Sequence, residues 1–132
     1  LDSQDLELIV GGRFSSAGGV PAFNIARWNG VSWSPVGSGM SLSVNALILL
    51  PNGTLVAGGQ FPTAGGVTVN SIARWNGSAW SAFGSGFGPS PRWVYALAVL
   101  PNGDLVAGGD FLTAGTTTVN GIARWNGSSW SA

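Results

Sequence analysis

The sequence predicts an all-β fold assembled from repeated antiparallel units, and three observations predict it. The hexapeptide Ile25-Ala26-Arg27-Trp28-Asn29-Gly30 recurs at residues 72–77 and 122–127. The glycine pairs Gly11-Gly12, Gly58-Gly59 and Gly108-Gly109 recur at the same two spacings, 47 and then 50 residues. Short apolar runs are punctuated by Asn-Gly, the strongest short hairpin signal because both residues tolerate positive φ. Self-similarity at a fixed period bears on the whole architecture before any local detail.

The best-defined unit runs from residue 44 to 86 and reads as four strands. The first, 44–50, ends at the turn Pro51-Asn52-Gly53. The second, 54–60, carries Gly58-Gly59, where the missing side chains let a neighbouring backbone approach closely. A loop over 61–70 contains Ala64-Gly65-Gly66. The third strand, 71–75, closes on Asn76-Gly77, and the fourth, 79–83, ends in Gly84-Ser85-Gly86. Four-stranded meanders of about 40 to 50 residues with Gly and Trp signatures are what the blades of a β-propeller look like. A parallel solenoid would repeat over a shorter period, and a sandwich would not repeat its sequence so faithfully.

Three blades are expected, over 1–39, 40–87 and 88–132. The polar, acidic residues 1–7 do not resemble 44–50, so the first strand of blade 1 is read as missing or degraded, leaving about two and three-quarter blades. Propellers close with roughly four to eight blades, so both ends of this set would expose an apolar sheet face. Large contiguous apolar patches mark interaction surfaces. Either other copies of the chain join head to tail into a ring, or further blades of a parent chain complete it. A dimer would hold about six blades and a trimer about eight or nine, by the closure rule above. The start at Leu1, without Met or a signal peptide, reads as a chain processed or cut from something larger. The near-identity of the blades is also what recent amplification or engineering of a repeat would give.

Composition narrows the function. Charged residues are 8%, against roughly 25% in ordinary globular chains. The net charge is zero, which argues against nucleic acid and against a polybasic membrane patch. No apolar run approaches the roughly 18 residues of a membrane helix. The chain has no Cys and no His, so thiol nucleophiles, the common zinc sites and a Ser-His-Asp triad are excluded within it. Asp104 follows Asn102-Gly103 in a turn, an ordinary place for Asp. Asp110 stands where the other blades have Gln60 and Arg13, and Asp2, Asp5 and Glu7 carry no calcium-loop signature. Three Asn-Gly-Ser/Thr triplets match the glycosylation signal, but all three are hairpin turns. No catalytic residue, metal or cofactor is expected.

Residues identical in every blade serve the shared fold first. Trp28, Trp75 and Trp125, with Trp33, Trp80 and Trp130, suit packing between blades, each indole N–H finding an acceptor; the competing role is a repeated sugar-stacking platform. Arg27, Arg74 and Arg124 each precede a Trp, and alternation puts them on the opposite face, beside Ile25, Ile72 and Ile122. A structural Arg bonding loop carbonyls between blades competes with a repeated site for a hydroxylated ligand. Small oligomeric propeller lectins use Trp and Arg in such sites, an analogy at the level of the fold. Between blades 2 and 3, Gly88-Pro89-Ser90-Pro91-Arg92-Trp93 is longer than its counterpart by three residues, and Arg92 and Trp93 are candidate partner contacts on a variable loop.

Gly58-Gly59 followed by Trp75 and Trp80 resembles the Kelch repeat, which usually has Tyr at the first aromatic position and a longer gap to the second. The fuller pattern, Val-Ala-Gly-Gly, Thr-Ala-Gly-Gly, Ile-Ala-Arg-Trp-Asn-Gly and Ser-Ala-Trp-Ser-Ala, resembles Kelch-like repeats of large secreted bacterial proteins over nearly the entire chain. That resemblance implies a propeller and a secreted or cell-surface setting. The expected function is a non-catalytic propeller scaffold completed by copies of itself or by further blades; the alternative is a lectin-like propeller binding glycan at one site per blade.

Overall fold

The computed structural model describes residues 8–88 and 92–132, and among these there is no helix. Blade 1 comprises β1 (Leu8–Gly11), β2 (Ser16–Ala17), β3 (Val20–Pro21), β4 (Ile25–Trp28) and β5 (Trp33–Pro35). Blade 2 comprises β6 (Val44–Leu49), β7 (Leu55–Gly59), β8 (Thr63–Ala64), β9 (Val67–Thr68), β10 (Ile72–Trp75) and β11 (Trp80–Ala82). Blade 3 repeats this with β12 (Arg92–Val99), β13 (Leu105–Phe111), β14 (Thr113–Ala114), β15 (Thr117–Thr118), β16 (Ile122–Trp125) and β17 (Trp130–Ser131).

Blades 2 and 3 are four-stranded antiparallel meanders, in the orders β6-β7-β10-β11 and β12-β13-β16-β17. Blade 1 shows the three strands β1-β4-β5; the expected loss of its first strand concerns residues 1–7, which lie outside the described residues. The pairing register repeats, with Arg74 opposite Val56 and Ser81 and Arg124 opposite Val106 and Ser131. The result is an open, partial propeller.

Two expectations need correction. The loop over 61–70 folds back as the ribbon β8–β9, with φ of 57° and 81° at Gly65 and Gly66, the doubly positive turn that matches strand twist. Blades 1 and 3 carry the equivalent ribbons β2–β3 and β14–β15. Arg92 and Trp93, expected in a loop, are the first residues of β12 and pair with Phe111 and Asp110. The reason is the length of β13, which runs two residues past Gly109 and offers a backbone for them to pair with. The inserted residues 89–91 lie outside the described residues.

The apolar core lies between the sheets. One layer gathers Ile25 and Val36 of blade 1, and Met40 at its junction with blade 2, with Phe61, Ala64, Ala73 and Trp80 of blade 2. The next gathers Val56, Ile72, Phe83 and Phe87 of blade 2 with Phe111, Ala114, Ala123 and Trp130 of blade 3. Alternation along Ile-Ala-Arg-Trp explains the division: Ala and Trp face the preceding blade, Ile and Arg the following one. Burying each large side chain contributes about 1.5–3 kcal/mol, so the interfaces, not the hairpins, hold the blades together.

The first glycine of each pair is the socket of this interface. A Cβ on Gly11 would stand 2.6 Å from Val44 Cγ1, and one on Gly58 would stand 2.5 Å from Val94 Cγ1. Both valines belong to the first strand of the following blade. A Cβ on Gly108 would meet nothing nearer than the Gly121 carbonyl oxygen at 3.9 Å. Gly58→Ala is therefore expected to destabilise the chain by about 1–3 kcal/mol through overpacking, while Gly108→Ala leaves stability within about 0.5 kcal/mol. Paired chemical-denaturation curves of the two variants check this.

Candidate binding clefts between blades

The residues that could meet a ligand converge on the cleft beside each blade interface. Between blades 2 and 3 a cleft of about 360 Å3 is lined by Arg74, Phe83, Asp104, Leu105, Trp125 and Asn126. Between blades 1 and 2 a cleft of about 410 Å3 is lined by Arg27, Val36, Leu55, Trp75 and Asn76. Most of these are the same positions one repeat apart. Each cleft places a guanidinium against an apolar floor, with an Asn-Gly turn on the rim.

The three arginines nevertheless sit in different surroundings. The Arg74 guanidinium carbon lies 4.7 Å from the centroid of the Phe83 ring and 5.8 Å from that of Trp125. It spans the interface by stacking, an interaction of about 0.5–2 kcal/mol depending on desolvation. Arg27 Nε donates to Ser34 Oγ at 3.2 Å. Arg124, on the uncovered face of blade 3, donates from Nε to Asp104 Oδ2 at 2.7 Å. The position of Asp104 is held by Thr54 in blade 2, so the blades do not present identical sites. Arg92 gives its carbonyl to the Ser71 hydroxyl, and the exposed Trp93 ring lies edge-on to Tyr95 at 6.3 Å; neither joins the arginine clefts.

The tryptophans pack. Each blade holds the same tilted pair, Trp28–Trp33 at 5.2 Å, Trp75–Trp80 at 5.1 Å and Trp125–Trp130 at 5.2 Å. Carbonyls across the interface are bonded by indoles: Trp80 Nε1 donates to the Val36 carbonyl at 3.0 Å, and Trp130 Nε1 to the Phe83 carbonyl at 3.1 Å.

One feature escaped the sequence reading. Val36-Gly37-Ser38-Gly39-Met40 and Phe83-Gly84-Ser85-Gly86-Phe87 repeat at the common spacing, yet they read as strand ends and linkers. In the fold they are plugs that enter the following blade. The cavity they fill is uncovered in blade 1, where a groove of about 270 Å3 is lined by Val10, Phe14, Ala17, Ala26 and Trp33.

A set of four-stranded blades stacked Trp face to Ile/Arg face defines a β-propeller protein. The chain matches the β-propeller domain of unknown function DUF5122 at residues 7–30, 50–78 and 100–128, more than half its length, and it belongs to that family. No characterised protein and no solved structure gives a significant match.

Arg74→Ala is expected to cost about 1 kcal/mol through the lost stacking. Asp104→Ala, which breaks an exposed pair, should cost less than about 1 kcal/mol, an effect that fades in 1 M salt. Thermal unfolding at low and high salt separates the two.

Proposed function

We propose that this chain is a non-catalytic propeller scaffold whose two end faces are covered by further blades of the same kind, closing a ring. One observation carries the reading. Ile25 and Ile72, covered by the following blade, are fully buried, whereas Ile122, at the same position in blade 3, is 58% exposed. The opposite end presents the Trp28 and Trp33 face of blade 1, only half-buried. These faces are the two halves of one interface, so the occupant that fits each is another blade, supplied by copies joined head to tail or by a parent chain. The lack of His and Cys supports a scaffold over an enzyme. The resemblance of the repeats to Kelch-like repeats of large secreted bacterial proteins is what supports a secreted or cell-surface setting.

The test is absolute mass by light scattering after size exclusion. Two or three times 13.4 kDa is expected for a ring of copies. Gly108→Leu should then return the mass to that of one chain with the β-sheet circular dichroism unchanged, because a leucine there would stand out from the face of blade 3 that the next blade covers, where a Cβ meets nothing nearer than 3.9 Å within the chain. A monomer that stays dispersed at high concentration overturns self-assembly.

The second reading, a lectin-like propeller, is favoured by the recurrence of an arginine cleft at both interfaces. A glycan-array signal lost in Arg74→Ala with the fold intact would establish it. Silence across the array would leave the scaffold.

A further inference from the structure

We infer that the uncovered groove of blade 1 is a docking site for one kind of segment, an apolar-Gly-Ser-Gly-apolar turn presented by another blade; this rests on the ring-completion reading and names the contact that completes it. Such a segment is seen seated twice within the chain. Val36 and Met40 enter the layer formed by Phe61, Ala64, Ala73 and Trp80. Phe83 and Phe87 enter the equivalent layer, where Phe87 stacks on Phe111 with ring centroids 4.2 Å apart and lies 4.8 Å from Trp130.

The polar contacts of the two seated segments are also the same. The carbonyl of the first apolar residue accepts from the indole of Trp80 or Trp130. The carbonyl of the second glycine accepts from the amide of the receiving ribbon, Gly65 to Gly39 at 2.7 Å and Gly115 to Gly86 at 2.8 Å. The last residue then bridges to the ribbon alanine, Met40 to Ala64 and Phe87 to Ala114.

Blade 1 holds every receiving group at the same positions: Phe14, Ala17, Gly18, Ala26 and Trp33. Phe61 and Phe111 are fully buried under their plugs, whereas Phe14 is only half-buried. Among the described residues, the Trp33 indole and the Gly18 amide have no hydrogen-bond acceptor. The groove thus offers two apolar sockets and two donors at the spacing of one known segment. Both segments of this kind in the chain are already seated in the blades that follow them, so neither is available to the groove of blade 1.

The segment is also shaped before it docks. Gly39 and Gly86 adopt φ of 78° and 70°, and a Cβ on either would collide with backbone carbonyls of its own blade. Met40 and Phe87 donate their amides to the carbonyls of Phe23 and Asn70 at 3.1 and 3.0 Å. A blade that presents the segment in this way has already ordered it, which favours binding relative to a free peptide.

Two measurements test the assignment. In the first, the peptide Ala-Phe-Gly-Ser-Gly-Phe-Gly is titrated into the 15N-labelled chain. The Trp33 indole and Gly18 amide signals should shift, with at least ten-fold weaker binding when both Phe are replaced by Ser. Equal shifts with both peptides, or shifts mapping elsewhere, overturn the proposal. In the second, the chain is extended past Ala132 by Phe-Gly-Ser-Gly-Phe, so that blade 3 presents the segment. Self-association should tighten at least ten-fold over the unextended chain, and Phe14→Ser should remove the gain. An extended chain that associates no better than the original overturns the proposal even where the peptide binds weakly. A monomeric unextended chain would overturn self-assembly yet leave both tests open to succeed, so the two readings fail separately.

Discussion

The insertion of each blade's last turn into the next blade is the contact on which the remaining structure depends. A four-stranded sheet with Val, Ile, Phe and Trp on both faces buries neither face by folding alone. It needs a neighbour on each side. Here the neighbour arrives with its polar groups already matched: a carbonyl meets an indole N–H, and a second carbonyl meets a ribbon amide. Apolar burial supplies most of the free energy of this contact, and the two hydrogen bonds fix its register.

This interface has a direction. The Trp face of one blade always meets the Ile/Arg face of the blade before it, so the contact is heterologous and leaves one face of each sort uncovered at the ends. The glycine socket belongs to the same design. Gly11 and Gly58 leave room for Val44 and Val94, so the first strand of one blade can press against the second strand of its neighbour. Arg74 adds a cation stacked on rings from both blades. The clefts beside the interface are therefore partly a by-product of stacking twisted sheets, and their arginines differ in surroundings: Val36 stands beside Arg27 where Arg74 has the Phe83 ring, and Arg124 has no following blade to stack against.

The repeat itself, the four strands of a blade and the facing of Ile-Ala-Arg-Trp were legible from the chain. Period, hairpin turns and two-residue alternation are local properties that survive without knowledge of neighbours. The ribbon over Thr63–Thr68 was less legible because its strands are only two residues long, too short for alternation to register. Arg92 and Trp93 were misplaced because their strand is prolonged by pairing with Leu105–Phe111, a partner more than ten residues away. The plug segments carried a visible signal, apolar residues four apart around Gly-Ser-Gly, but its meaning depends on a cavity in another blade.

What the sequence by itself determined is the unit: its period, its strands, its turns and the two chemically different faces of its sheet. These follow from steric and hydrogen-bonding rules that act within a few residues. Only the tertiary structure decided which groups meet across blades. It set Phe87 on Phe111, the Trp130 indole on the Phe83 carbonyl and Arg74 over Phe83 and Trp125. It also showed Ile122 open to solvent where Ile25 and Ile72 are closed. Identical local sequence meets different surroundings at the end of a stack, and burial is a property of the neighbour as much as of the residue.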